Sequence, residues 1–96
     1  MMVLITYDVE TLTRAGQKRL RQVARACQDY GQRVQNSVFE CIVTESQFTT
    51  LKHQIQQIID PETDSVRFYR MGNNWKPHVD SLGKVTSYDY TAELII

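Results

Sequence analysis

Residues Met2 to Tyr7 form an unbroken apolar and β-branched run that stops at Asp8. A continuous run, rather than an alternating one, predicts a central strand covered on both faces. In a chain of 96 residues the other elements have to be arranged around that strand. Thr13 to Tyr30 reads as a helix, because Leu20, Val23, Ala24 and Cys27 recur at i, i+3, i+4 and i+7, and Gly31 is a natural stop. Arg33 to Val43 reads as β. It is long for one strand, so a bend or bulge is expected near Asn36-Ser37.

A second helix is expected from about Ser46, a plausible N-cap, to Ile59. Phe48, Leu51, Ile55, Ile58 and Ile59 make its apolar face, and Asp60-Pro61 ends it. Val66 to Met71 is the next strand and Gly72-Asn73-Asn74 a turn. Trp75 to Gly83 reads as loop, Val85 as part of a short strand, and Tyr88 to Ile96 alternates as a terminal strand. The order is β-α-β-β-α-β with an extra C-terminal strand, an α+β, ferredoxin-like antiparallel sheet with both helices on one face. A single domain over residues 1–96 is expected. A chain of this size buries only about 60–65% of its unfolded surface. The sheet face away from the helices is therefore expected to meet a second copy, with the C-terminal segment, residues 84–96, packing on the partner subunit.

Lysine plus arginine is 11 and aspartate plus glutamate is 11, so the chain is not a general polycation. Nucleic-acid binding must come from how charge is arranged. The first helix supplies an arrangement: Arg14, Lys18, Arg21 and Arg25 are spaced 4, 3 and 4, with Arg19 beside them and no acidic residue from Arg14 to Gln28. At 100° per residue the four fall within about 60° of one another. A one-sign stripe in a neutral protein points to a polyanion track, and an ordinary solvated face is the alternative.

Asp8 sits where the apolar strand meets its loop. Such a carboxylate either caps the next turn or binds a metal, because the strand fixes the backbone and the loop leaves the oxygens open. One carboxylate is few for magnesium; a two-fold axis between two copies of Asp8 would supply the second. Arg33, Asn36 and Ser37 gather guanidinium, amide and hydroxyl groups in one segment. Phe39 could stack on a base, although a strand phenylalanine is more often core. Cys27 and Cys41 have no CxxC or zinc spacing and read as small buried thiols in a reducing compartment. His53 and His78 read as surface residues; Trp75, Tyr69, Tyr88 and Tyr90 read as interface aromatics. The segment Ser37 to Val43 lacks the glycines and paired aromatics of an RNA-recognition module. No signal peptide and no membrane span is expected, and a cytoplasmic location follows as the default.

Three blocks taken together resemble a known family: Ile5-Thr-Tyr7-Asp8-Val9, then Lys18-Arg19-Leu-Arg21-Gln-Val23-Ala24, then Tyr30-Gly31 with Arg33-Val-Gln-Asn-Ser-Val-Phe-Glu40. The chain is similar to the small CRISPR-associated nucleases, the second of the two core protein families of CRISPR spacer acquisition. The resemblance covers about the first 45 residues. It implies a ferredoxin-like homodimer with C-terminal strands extended onto the partner's sheet. It also implies a magnesium ion between the two copies of Asp8, and metal-dependent endonuclease activity on single-stranded RNA or double-stranded DNA. It carries Asp8 over as metal ligand with Tyr7 beside it, Arg33 and Phe39 as positions implicated in activity, and Arg19 and Arg21 as part of the basic helix. A non-catalytic alternative is implied as well: an adaptor that carries protospacer DNA and bridges dimers of the CRISPR integrase. A small-molecule regulatory domain is a further alternative, but it leaves the one-sign helix unexplained.

Overall fold

A computed structural model describes residues 1–71 and 78–83. The strand β1 (Met2–Asp8) is followed by the helix α1 (Arg14–Gln28), the strands β2 (Gly31–Gln35) and β3 (Val38–Ile42), the helix α2 (Glu45–Ile58), and the strands β4 (Ser65–Met71) and β5 (His78–Gly83). The sheet order is β2-β3-β1-β4-β5, antiparallel throughout. β3 lies between β1 and β2, and β1 lies between β3 and β4. Two split βαβ units therefore interlock, giving the ferredoxin-like arrangement expected from the sequence.

β1 is central, but the two sides of it differ. Val3, Ile5 and Tyr7 are buried, while Leu4 and Thr6 are half-buried and Met2 and Asp8 exposed. The buried set joins Phe39, Cys41, Val66 and Phe68 from the neighbouring strands and Val23, Cys27, Phe48, Leu51 and Ile55 from both helices in one core. Both helices thus pack on one face. The unbroken apolar run marks a central strand, yet among the described residues only one of its faces is sealed by helices.

Local chemistry fixes the element ends. Thr13 caps α1, its side chain accepting from the Gly16 N–H at 3.0 Å. The cap of α2 is Thr44, not Ser46: its hydroxyl accepts from Gln47 N–H at 3.1 Å while the Gln47 side chain accepts from Thr44 N–H at 2.9 Å. This reciprocal pair satisfies two otherwise orphaned donors, which a serine two residues on cannot do. The long β segment divides into a hairpin with Asn36 and Ser37 as its two-residue connection, and its register shifts between Arg33 and Gln35.

Residues 78–83, expected as loop, form the edge strand β5, paired along β4 from Arg70–His78 to Ser65–Gly83. Backbone pairing, with Leu82 packed against the core, outweighs the polar composition. At Gly83 φ is 90°, and a Cβ there would lie 2.1 Å from the Asp64 carbonyl oxygen, so glycine is required. The expected turn at 72–74, the interface aromatics Trp75, Tyr88 and Tyr90, and the strands at Val85 and 88–96 lie outside the described residues, as does the segment 84–96 assigned to the partner.

Cys27 and Cys41 are free and buried. The Cys41 thiol donates toward the Cys27 carbonyl at 3.7 Å. Burial, and for Cys27 the neighbouring Cys41, pushes the thiols up to about 12 and about 11. Neither is a competent thiolate at neutral pH. The folded protein is therefore expected to react with a thiol reagent at pH 8 only as fast as it opens. Labelling as fast as that of the urea-unfolded chain would contradict this packing.

Candidate functional site at the end of the central strand

The end of β1 is held from two directions. On the helix side, the Tyr7 N–H donates to the Ser37 carbonyl at 3.1 Å and its hydroxyl donates to the Asn36 carbonyl at 3.2 Å. The β2–β3 turn is thereby clamped against β1. The Tyr7 ring stacks on Phe39 with centroids 6.1 Å apart and planes at 24°, and the Arg33 guanidinium lies 5.3 Å from the Phe39 ring centre. Burial raises the Tyr7 phenol above its usual range, with Arg33 pulling the other way. The hydroxyl thus stays protonated and serves as a donor. The structure brings Tyr7, Phe39 and Arg33 into one cluster. Phe39 is fully buried, so it supports the site from inside and has no free face for a base.

Asp8 follows this cluster but points the other way. It shares the parity of Met2, Leu4 and Thr6, is exposed, and stands opposite Ser65 of β4. Its carboxylate belongs to the sheet face away from the helices. Among the described residues no group of three or more His, Cys, Asp or Glu side chains converges to hold a metal. Asp8 is a hard oxygen donor of the kind magnesium takes alongside waters and substrate phosphate. Within one protomer it is a single such donor, and another carboxylate could reach it only from a second copy on the same face.

The second hold on the β1 exit comes from Asp64, which lies between α2 and β4 and carries no local sequence signal of a role. It is fully buried, the one buried charged residue among those described. Oδ1 accepts from the Glu10 N–H at 3.0 Å and the Thr63 hydroxyl at 3.1 Å. Oδ2 accepts from Arg19 Nε at 2.8 Å and the Asp60 N–H at 2.9 Å. Burial alone would raise this carboxyl, but Arg19, the two backbone donors and Thr63 outweigh it and hold it below its usual value.

Arg19 is thus not beside the basic stripe. At 100° per residue it lies about 140° from Arg14, on the side of α1 that faces the core, and its Nε is committed to Asp64. Arg14, Lys18, Arg21 and Arg25 are exposed, opposite the buried residues Gly16, Val23 and Cys27. Lys18, Arg21 and Arg25 line a shallow groove with Gln22, of about 270 Å³. This cationic groove lies on the outer side of the helix layer, away from the Asp8 face. His53 is exposed, as expected, and Tyr69 is already buried within the chain. No described helix is long and apolar enough to cross a membrane.

The family described as "CRISPR associated protein Cas2" matches residues 1–79. The "CRISPR-associated endonuclease Cas2" of Halalkalibacterium halodurans is 58% identical over 95 residues, covering 99% of each chain. The "CRISPR-associated endoribonuclease Cas2 1" of Moorella thermoacetica is 51% identical over 96 residues, covering 100% of each. The crystal structure of Streptococcus pyogenes Cas2 at pH 6.5 superposes with a TM-score of 0.72 at 67% identity, covering 78% of this chain and 90% of that one. A hypothetical protein from Thermus thermophilus superposes with a TM-score of 0.66 at 28% identity, covering 75% and 82%.

The burial of Phe39 separates two roles by their effect on stability. Phe39→Ala is expected to cost about 3–5 kcal/mol in urea unfolding, as truncation of a core aromatic does. An unchanged midpoint would mean the ring is free to serve a ligand.

Proposed function

The chain belongs to the CRISPR-associated Cas2 family, whose curated relatives are named endonucleases and endoribonucleases, and on that premise we propose that it is a magnesium-dependent phosphodiesterase acting as a homodimer in spacer acquisition. The observation that carries this reading is the exposed Asp8 carboxylate at the end of the central strand, on the sheet face left open by the helices. At the other end of that face, Met2 stands opposite both Ile42 and Met71, and the three are 39, 73 and 43% exposed. Such an apolar row favours a second copy as the cover, and a two-fold axis through the face would bring the two Asp8 side chains toward each other.

In this reading Asp8 of each protomer holds the cation. Bound there, magnesium supplies neutralisation of phosphate charge and activation of the attacking water. The residues around it contribute rigidity. Tyr7 fixes the strand end to the Asn36-Ser37 turn, Phe39 packs beneath Tyr7, and Arg33 sits on the Phe39 ring at the sheet edge, where its guanidinium can meet a phosphate. Asp8 stands opposite Ser65, and neither β1 nor β4 carries a His or Lys that could serve as general base, which favours modest turnover.

A second reading is favoured by one separate observation. Arg14, Lys18, Arg21 and Arg25 face away from the Asp8 face, so the stripe can hold a polyanion without presenting it to the carboxylate. That is what an adaptor carrying protospacer DNA between integrase dimers requires, and binding there does not exclude slow cleavage.

Asp8→Ala is expected to abolish cleavage of single-stranded RNA or duplex DNA while leaving the thermal midpoint near that of the parent protein, and chelation should match it. Full cleavage by Asp8→Ala would sink the metal mechanism. Charge reversal at Lys18, Arg21 and Arg25 is expected to weaken DNA binding and to lower the slope of log K against log salt by about 1 per lost phosphate contact. An unchanged slope would remove the stripe from the binding surface.

A further inference from the structure

We propose that Asp64 and Arg19 are positioning residues for Asp8, forming a buried clamp that sets the direction in which β1 leaves the sheet. This inference rests on reading Asp8 as the metal-holding carboxylate and adds the residues that aim it. The path is short. Asp8 is the last residue of β1, Val9 is buried, and the next backbone N–H, that of Glu10, is taken by Asp64 Oδ1 at 3.0 Å. The other oxygen of Asp64 is fixed by Arg19 Nε at 2.8 Å and by the Asp60 N–H at 2.9 Å. One carboxylate therefore ties four parts of the chain: the β1 exit, α1, the end of α2, and the start of β4 opposite Asp8.

The segment after Asp8 is closed from its other side too. The Glu10 carboxylate accepts from the Leu12 N–H and from the Thr13 hydroxyl. The Glu10 carbonyl oxygen packs so closely on Gly16 that a Cβ there would stand 1.8 Å from it. With the Tyr7 hydroxyl and N–H held by the β2–β3 turn, the backbone is pinned immediately before and two residues after Asp8. A carboxylate that must meet a second carboxylate across an axis gains from such a hold, because a partly ordered ligand binds its ion less tightly.

The clamp also assigns Arg19 a task different from that of its neighbours on α1. Arg21 and Arg25 are exposed in the cationic groove, whereas Arg19 neutralises a buried carboxylate that would otherwise be costly to hold there.

The test compares Asp64→Asn, Arg19→Gln, their combination, and Arg21→Gln in the full chain. Metal affinity is read from the magnesium concentration giving half-maximal cleavage, and from manganese broadening of the Asp8 amide signal. The clamp is read from hydrogen exchange at the Glu10 amide, and nucleic-acid affinity is measured in chelator. Asp64→Asn and Arg19→Gln are each expected to weaken metal binding about 10–100-fold and to speed Glu10 exchange by a larger factor than that of the core amides of Ile5 and Phe39, which report only the global cost of breaking the buried pair. Binding in chelator should hold for both and weaken for Arg21→Gln. The double variant should be little worse than either single, because the two residues act as one unit.

Three outcomes overturn the proposal. In one, Arg19→Gln behaves like Arg21→Gln, with weakened binding in chelator and an unmoved metal half-point. In another, Glu10 exchange accelerates, with or without the core amides, at constant metal affinity, which is a structural role only. In the third, Glu10 exchange is unchanged. A parent protein with neither cleavage nor manganese broadening at Asp8 overturns the metal reading itself. Glu10 exchange then reports separately whether the clamp holds the strand exit.

Discussion

Among the described residues the helices cover the sheet on one side only, and the rest of this structure depends on that constraint. Two helices on one face divide every strand by parity. Along β1 the division sends Val3, Ile5 and Tyr7 into the core and leaves Met2, Leu4, Thr6 and Asp8 on the other side. A one-residue slip would exchange the two sets, placing a carboxylate in the core and Tyr7 outside. The register that buries the apolar set is therefore the register that exposes Asp8. Stability and the candidate site share one cause.

The same parity separates the two sources of function. The cluster of Tyr7, Phe39 and Arg33 and the whole of α1 belong to the helix side, and the exposed stripe of α1 faces outward from it. Asp8 belongs to the open side. A protein that both carries a polyanion and hydrolyses phosphodiesters would need those sides to act on different stretches of one nucleic acid, or on different substrates. Asp64 joins them physically, since a single buried carboxylate holds both Arg19 of α1 and the loop that leaves Asp8. Its four hydrogen bonds offset the cost of burying a charge.

Much of this was legible in the sequence where the signal is local. The apolar run from Met2 to Tyr7 identifies the central strand, and the four-residue periodicities place both helix faces. The bend expected at Asn36-Ser37 is the hairpin connection. Two further signals lie in the sequence itself. Thr44-x-x-Gln47 is a capping-box spacing, and it starts α2 ahead of Ser46. The helical angle of Arg19 places it on the core side. The role of Asp64 had no local signature, because its ion-pair partner is 45 residues away and only the packed fold brings them together. β5 was hidden for a related reason: an edge strand is specified by the backbone of its neighbour, and its own residues alternate poorly. The family resemblance implies Asp8, Tyr7, Arg33 and Phe39 as site residues; the structure places Tyr7, Phe39 and Arg33 in one cluster and leaves Asp8 exposed on the other face.

On the proposed reading, Asp8 is half of a site that a second copy completes across the sheet face away from the helices. Mixed dimers test it most directly. Parent protein and Asp8→Ala are unfolded together, refolded at varied ratios, and assayed for cleavage with magnesium. If both carboxylates are needed, activity falls as the square of the parent fraction, because only parent–parent dimers cleave. Activity that falls in simple proportion to the parent fraction would mean that each Asp8 works alone, and would contradict the shared site.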